Sequence, residues 1–471
     1  MKQKLFSFFD TLSKFAGSKT ARRIVLGAFV VQALLLAFVT HVGTPPDENN
    51  HLNFIRHYAD HSLSPIFEEQ TPTRSLGDKT REVDYLYHYG ASFIARALPG
   101  EKIEVYVIRV ISVLAALLTM IMLVRLLRRL GVSAATTTVT LAIITNLPMV
   151  LMVSAEVNND VFVWLGYVLS LLLVLRIWRR PTVLDTLLLL NIIVAGGLIK
   201  RTLLPLGLVL VFVVALLVYR KWALFVKSSK RVDWRVIAAG VFLVIVSGLF
   251  IERVGGNLYR YGAVAPTCEQ VQGEKACEVF WASSRKKWLD AGAPTDKGSW
   301  LGSGVTRDET PLPLPVFTAK WLTHSVTNIA DIQTQGWRHE ATPPTWLAPG
   351  LLLVMIGAIG YGIVRDTNQW RKTKQDESML RLFATGTALF VMGAHLSVNY
   401  SEYLTYQVFG LALNGRYILP ALLVLIGLSC YYLAKLLPRR VSQILAVVTI
   451  ILIVGFTGIA MMLRNSQLIT G

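Results

Sequence analysis

Asp47 and His51 stand four positions apart in Thr44-Pro45-Pro46-Asp47-Glu48-Asn49-Asn50-His51-Leu52-Asn53-Phe54. On a helix that spacing puts a carboxylate and an imidazole on one face. There they can act as a general base and its partner, or as two metal ligands. The same letters also fit a structural role. Thr44 can cap a helix with Pro45 at its first position, and Asp47 then completes a Ser/Thr-x-x-acid capping box. A second acidic group follows in Ser154-Ala155-Glu156-Val157-Asn158-Asn159-Asp160, where Asn-Asn-Asp could equally be an ordinary helix cap. Cations recur as Arg109, as Lys200-Arg201 and as Arg416-Tyr417. Snorkelling to headgroups explains any one of them; several beside carboxylates would suit a phosphate, which needs charge-assisted donors.

Those residues have to be positioned by an apolar scaffold. The chain has 471 residues, of which 53% are hydrophobic and 16% charged, with a mean hydropathy of +0.51. Such a composition excludes a soluble globular, disordered or collagen-like chain. Apolar runs occur near 24–41, 105–124, 134–153, 161–175, 183–199, 203–219, 236–251, 347–364, 382–398, 417–434 and 441–463. The expected fold is an all-α polytopic membrane protein with about 11 transmembrane helices. The first run is read as an anchor, being too long for a signal-peptide core and lacking a small-residue cleavage site after it.

Lys and Arg decide the orientation. Segments 1–23, 125–133, 176–182, 220–235, 365–381 and 435–440 hold 26 of the 47 basic residues, so they are placed in the cytoplasm, N-in/C-out. The formal net charge of +18 is concentrated there and the remainder is nearly neutral. It is therefore a topology signal, and no nucleic-acid partner is expected. Two long connections fall outside, 41–104 with interfacial helices and a large loop, 252–346. The expected units are an N-terminal transmembrane module over 1–251, the loop 252–346, and a C-terminal transmembrane module over 347–471. Cys268 and Cys277 lie nine positions apart in that loop and could close a disulfide or remain free thiols. Cys430 reads as a small apolar filler. Aromatic stretches, Tyr85-Leu86-Tyr87-His88-Tyr89 and Trp281 to Trp288, could frame a groove or serve as plain membrane anchors.

The order of these motifs resembles the GT-C superfamily of membrane glycosyltransferases. The closest resemblance is to a bacterial branch whose first outer loop begins Pro-Asp-Glu-x-x-His, related to the protein O-mannosyltransferase and aminoarabinose transferase families. Pro46-Asp47-Glu48-Asn49-Asn50-His51 fits that pattern. Val157-Asn158-Asn159-Asp160, Lys200 and Gly415-Arg416-Tyr417-Ile418-Leu419-Pro420 follow in the family's order. The resemblance implies transfer of a sugar from a polyprenyl-phosphate donor to an acceptor at the exoplasmic face of the cell membrane, usually with inversion. The acceptor could be a glycan, a lipid-linked glycan or a protein. Carried over, Asp47 is the general base, and Glu48 joins it in the catalytic pair. Lys200, Arg201 and Arg416 are the cations for the leaving phosphate. His51, Asn159, Asp160 and Tyr417 shape the sugar pocket. A divalent ion (Mg, Mn or Zn) held by Asp47, His51 and Asp160 is left open, since relatives differ in using one.

The rival class is a transporter or flippase of lipid-linked sugars, whose charges would lie nearer the bilayer midplane. A third reading is a scaffold of this type retired from catalysis. No phosphate-binding loop, dinucleotide fingerprint or zinc-protease motif competes with these readings.

Overall fold

Apolar runs of this length leave water as helices, because a backbone deprived of water must satisfy its own hydrogen bonds. A computed structural model of the chain describes residues 10–43, 47–60, 81, 84–98, 100–229, 233–277, 310–330, 347–407, 409 and 415–445. The regular elements among them are all helical. In chain order they begin with α1 (Lys19–Val39), α2 (Glu48–Asp60), α3 (Leu86–Ala97), α4 (Glu101–Arg129), α5 (Ala134–Ile144) and α6 (Pro148–Ser154). Next come α7 (Asp160–Arg179), α8 (Val183–Ile199), α9 (Leu204–Arg220), α10 (Trp222–Ser229) and α11 (Trp234–Phe250). α11 runs on through a π turn, Ile251–Gly255, into α12 (Gly256–Tyr261), and the short α13 (Cys268–Gln272) and α14 (Glu274–Cys277) follow. The last described elements are α15 (Leu314–Ala330), α16 (Leu347–Thr373), α17 (Asp376–Tyr406), a 3-10 turn at Gly415–Ile418 and α18 (Leu419–Leu436).

Eight of these helices are long and apolar enough to cross a membrane, and nine if the bent pair α5–α6 counts as one span. α8 is apolar but has 17 residues, about 26 Å at 1.5 Å per residue. The expected run at 441–463 lies outside the described residues beyond 445. α16 and α17 have 27 and 31 residues, well past the apolar runs that announced them, because their polar ends continue the helix.

The third expected span is broken. α5 and α6 meet at 73° because Pro148 opens α6 and Leu147 before it is extended (φ −67°, ψ 127°), as a residue preceding proline prefers. At the end of α5 side chains add to the backbone bonds: Leu141 O keeps the Thr145 amide at 2.8 Å, while Ala142 O takes a side chain alone. Thr145 Oγ1 donates to Leu141 O at 2.7 Å, and Asn146 Nδ2 donates to Ala142 O at 2.8 Å. The bend carries the chain into the acidic loop 155–159 and then into α7.

α7 and α18 form the centre. α7 packs on α4, α8 and α9, and α18 packs on α5, α16 and α17. Trp164, Tyr167 and Tyr432 are fully buried, and one continuous core cluster draws side chains from both halves of the chain. Two sequence expectations are corrected here. Tyr85 and Tyr87 neither line a groove nor anchor in lipid; both are buried. The Arg253 guanidinium lies 4.2 Å above the Tyr85 ring, and Tyr87 packs against His88 and Phe162. Helix also continues past 251, so Glu252 and Arg253 belong to the extension of α11; Arg81 reaches Glu252 at 3.2 Å and donates to Asn257 Oδ1 at 3.0 Å. The second aromatic stretch, Trp281 to Trp288, lies outside the described residues. Cys268 and Cys277 are joined in a disulfide linking α13 to α14.

Away from the acidic loop, Arg381 binds both oxygens of Asp366, Nε at 2.7 Å and Nη2 at 2.9 Å, and donates to Leu130 O at 2.9 Å. Tyr432 Oη also donates to Asp366, at 2.8 Å. α16, α17, α18 and the end of α4 thus share one buried ion pair. Asp366→Ala leaves the Arg381 charge uncompensated, and the expected cost is about 3 kcal/mol, measured as lowered thermal stability of the purified protein in detergent.

Candidate functional site

Glu48 and Arg109 are both without exposed surface. Arg109 lies inside α4, and in apolar surroundings a guanidinium is costly unless every donor is used. All five are. Nε and Nη2 meet Glu48 Oε1 and Oε2 at 2.8 and 2.6 Å. Nη1 donates to Ala37 O and Thr40 O at 2.7 and 2.8 Å, and Nη2 to His41 O at 3.3 Å. Arg109 therefore caps the unsatisfied carbonyls at the end of α1 and does not snorkel to headgroups. Glu48 accepts two more bonds, from the amides of Gly43 at 2.8 Å and Val157 at 2.9 Å. Gly43 needs to be glycine for this, since its φ is +82°. The end of α1, the start of α2 and the acidic loop 155–159 are thereby tied to one carboxylate. Glu48, expected in the catalytic pair, is enclosed by these partners and out of reach of solvent.

Asp47 sits beside this anchor with φ +66°. The two other non-glycine residues of positive φ among those described, Lys374 and Gln407, follow the ends of α16 and α17, where the left-handed conformation is usual. Asp47 opens a helix instead: His51 N donates to its carbonyl at 3.0 Å, and α2 begins at Glu48. A left-handed third residue is incompatible with the expected capping box over Thr44–Asp47, whose first three positions lie outside the described residues. The Asp47 carboxylate projects instead toward Arg416 and is hydrogen-bonded to its Nη2.

Arg416 stands between two acids. Its Nε is 3.5 Å from Asp160 Oδ2, and Asp160 Oδ1 accepts from Lys200 Nζ at 2.5 Å. Asp47, Arg416, Asp160 and Lys200 form an alternating chain of four charges. Asp160 and Lys200 are nearly enclosed, while the Asp47 side chain keeps 32% of its exposure. Tyr417 closes one side: Lys200 Nζ lies 4.7 Å and the Arg416 guanidinium carbon 5.5 Å from its ring centre. Local structure fixes each member. Lys200 ends α8, Asp160 starts α7, and Arg416 occupies the 3-10 turn before α18. Gly415 permits that turn to touch α15, where a Cβ would meet Ser325 O at 2.6 Å.

Other expected residues fall outside the chain of four charges. Arg201 turns to Asp84, at 3.0 Å, with its side chain 41% exposed. Asn159 donates to Ile199 O at 2.9 Å, joining the acidic loop to the end of α8. His51 Nδ1 lies 2.8 Å from His88 Nε2, and the rings stack. Asp47, His51 and Asp160 do not gather as metal ligands. Arg416 lies between the two carboxylates, His51 faces His88, and no cluster of three or more His, Cys, Asp or Glu side chains suited to a metal occurs among the described residues. The arrangement does not fit the divalent ion left open by the sequence.

Three contributors were not singled out from sequence. Glu156 is fully buried, with Oε1 accepting from Asn158 Nδ2 at 2.8 Å and Oε2 lacking a hydrogen-bond partner. Burial raises its pKa well above the ordinary value, though Arg416 opposes this. His395 on α17 stacks 6.4 Å from Tyr417; an ionisable residue inside an apolar run was the available signal. α15, from the loop in which no motif was matched, packs on the 3-10 turn and buttresses Arg416. A shallow, open apolar cavity of about 570 Å³ lies between α8, α9 and α17, lined by Ile193, Leu204, Pro205, Leu208 and Phe390 among others.

The family model described as dolichyl-phosphate-mannose-protein mannosyltransferase matches residues 95–250. That stretch includes Arg109, Glu156, Asp160 and Lys200, and excludes Asp47 and Arg416. No curated protein matches the chain. Solved structures similar to it include the Archaeoglobus fulgidus oligosaccharyltransferase in the apo form, with 13% identity and a TM-score of 0.48 over 96% of this chain and 56% of that one. The same enzyme in complex with Zn and sulfate gives 12% and 0.42, over 94% of this chain and 53% of that one. The archaeal oligosaccharyltransferase AglB from Archaeoglobus fulgidus, in complex with an inhibitory peptide and a dolichol-phosphate, gives 12% and 0.42, over 95% and 55%. The chain spans little more than half the length of these proteins.

Glu48→Gln should lower stability by about 3–5 kcal/mol in thermal unfolding, because a neutral amide leaves Arg109 buried and unpaired. Arg109→Met added to it should recover part of the loss. A pH dependence follows from His51. Burial, with His88 next, holds its pKa well below the ordinary 6.5, so below that pH the unfolded chain binds the extra proton and the folded protein loses stability. Thermal unfolding between pH 7.5 and 5 should show this loss, and His51→Gln should shrink it.

Proposed function

We propose that the chain is a membrane glycosyltransferase moving a sugar from a polyprenyl-phosphate donor to an acceptor hydroxyl at the exoplasmic face of the cell membrane, with inversion. The observation that carries the reading is the convergence of Asp47 and Arg416, distant in sequence, in one chain of charges with Asp160 and Lys200. The family match over residues 95–250 supports glycosyl transfer in general terms. The donor, the side of the membrane and the residue roles belong to the proposal.

The chemistry follows from the charges. The acceptor hydroxyl gives its proton to Asp47 as its oxygen attacks the anomeric carbon. The bond from that carbon to the phosphate oxygen breaks, and the electron pair leaves with the phosphate. Negative charge therefore develops on the phosphate, where preorganised cations are most effective. Arg416 and Lys200 supply them. Asp160 holds both cations in place, and Tyr417 covers them. Glu48 is a positioning residue acting through Arg109 and the neighbouring backbone. The cavity between α8, α9 and α17 would take the start of the donor's lipid tail; Leu208 and Val211 at its rim are exposed, so a chain can enter from the bilayer. The acceptor side belongs to the loop 252–346, whose chemistry the family match does not cover.

Sugar transfer by the purified protein in detergent, where no compartments exist, tests the reading against a flippase. Asp47→Asn should lower transfer about 10²–10⁴-fold, the usual contribution of a general base, while donor binding survives. Full activity in that variant would remove Asp47 as the base.

A further inference from the structure

The proposed base and the proposed phosphate anchor are bonded to each other. Arg416 Nη2 donates to Asp47 Oδ2, so the carboxylate that should take a proton is already neutralised. A carboxylate held by a guanidinium favours its charged form and is a weaker proton acceptor. The two ends of Arg416 differ. Its Nε faces Asp160, whose side chain is 3% exposed and is held by Lys200 at 2.5 Å. Its Nη2 faces Asp47, whose side chain is 32% exposed and already reaches water. Arg416 can therefore exchange its outer partner while Asp160 keeps the guanidinium in place.

We propose that the Arg416–Asp47 ion pair is a latch that the donor's phosphate opens, so that Asp47 becomes a competent base only after the lipid donor is bound. The inference rests on the function proposed above and adds an order of events to it. Summed over Asp47, Arg416, Asp160 and Lys200, the formal charge is zero. A phosphodiester brings a negative charge to this neutral set and competes with Asp47 for one guanidinium fork, which suits phosphate in bidentate contact. Release leaves Asp47 beside the phosphate, with its carboxylate free for the acceptor hydroxyl. Before the donor arrives, neither the acceptor nor water meets an unpaired base.

The test is equilibrium binding of a short-chain polyprenyl monophosphate to the full-length protein in detergent, with the matching polyprenol as the control lacking phosphate. Asp47→Asn removes the competing charge and suits the same left-handed backbone. It should bind the phosphate about tenfold more tightly than the unsubstituted protein, within the usual range of coupling between sites. Arg416→Ala should bind it more weakly, and adding Asp47→Asn to Arg416→Ala should restore less than about twofold, since coupled residues are non-additive. Arg416→Lys repeats the comparison if the alanine variant does not fold. Unchanged affinity in Asp47→Asn, with weakened binding in the Arg416 variants, overturns the latch and leaves the phosphate site standing. An equal gain with and without Arg416 means simple repulsion by Asp47 and also overturns it. Unchanged affinity in all variants overturns the phosphate site itself.

Discussion

The site depends on an ion pair that takes no part in the proposed chemistry. Glu48 and Arg109 are sealed from solvent, and their desolvation is tolerable only because each donor of Arg109 and both oxygens of Glu48 are satisfied. The pair joins three parts of the chain that hydrophobic packing alone would leave free to slide: the end of α1, the start of α2, and the loop entering α7. Asp47 precedes Glu48 and Asp160 lies three residues after Val157, so both inherit their positions from this junction. The enclosed pair is rigid because it is fully bonded; the reactive group next to it is not.

That contrast organises the electrostatics. Charge alternates from Lys200 through Asp160 and Arg416 to Asp47; the first three side chains are nearly enclosed and Asp47 alone is substantially exposed. In low-dielectric surroundings the inner members hold one another strongly. Only the outermost can change partner at modest cost. Tyr417 covers the inner cations with its ring, His395 stacks on Tyr417, and α15 supports the turn bearing Arg416. The loop in which no motif was matched thus contributes a buttress as well as surface.

Much of the scaffold was legible in the sequence because the membrane allows few alternatives. Ten apolar runs correspond to described helices or to the bent pair, and the eleventh lies outside the described residues beyond 445. The break at Pro148 was missed, since hydropathy averages across a residue whose effect is local. The chain Asp47–Arg416–Asp160–Lys200 was foreshadowed by charges at the ends of separate runs, although their order in space was not. The mutual pairing of Arg109 and Glu48 was not readable for one physical reason. A buried charge and a snorkelling or reactive one look alike until their partners are known, and these partners are mostly backbone atoms. Tyr85 and Tyr87 were misjudged likewise, because an aromatic at the end of a span can turn toward lipid or toward the core. Arg201 carries the right charge but opens a separate 3-10 turn, Arg201–Leu203, and pairs with Asp84.

The left-handed backbone at Asp47 places a second demand on a position already chosen for its acid. Glutamate would keep the charge but not the conformational tolerance, which belongs to short side chains able to bond locally. Asparagine has that tolerance without the basicity. One base substitution in a codon separates aspartate from asparagine, so on the function proposed above a folded form without the base is a single mutational step away. Lineages needing only the scaffold can reach it without passing through an unstable intermediate.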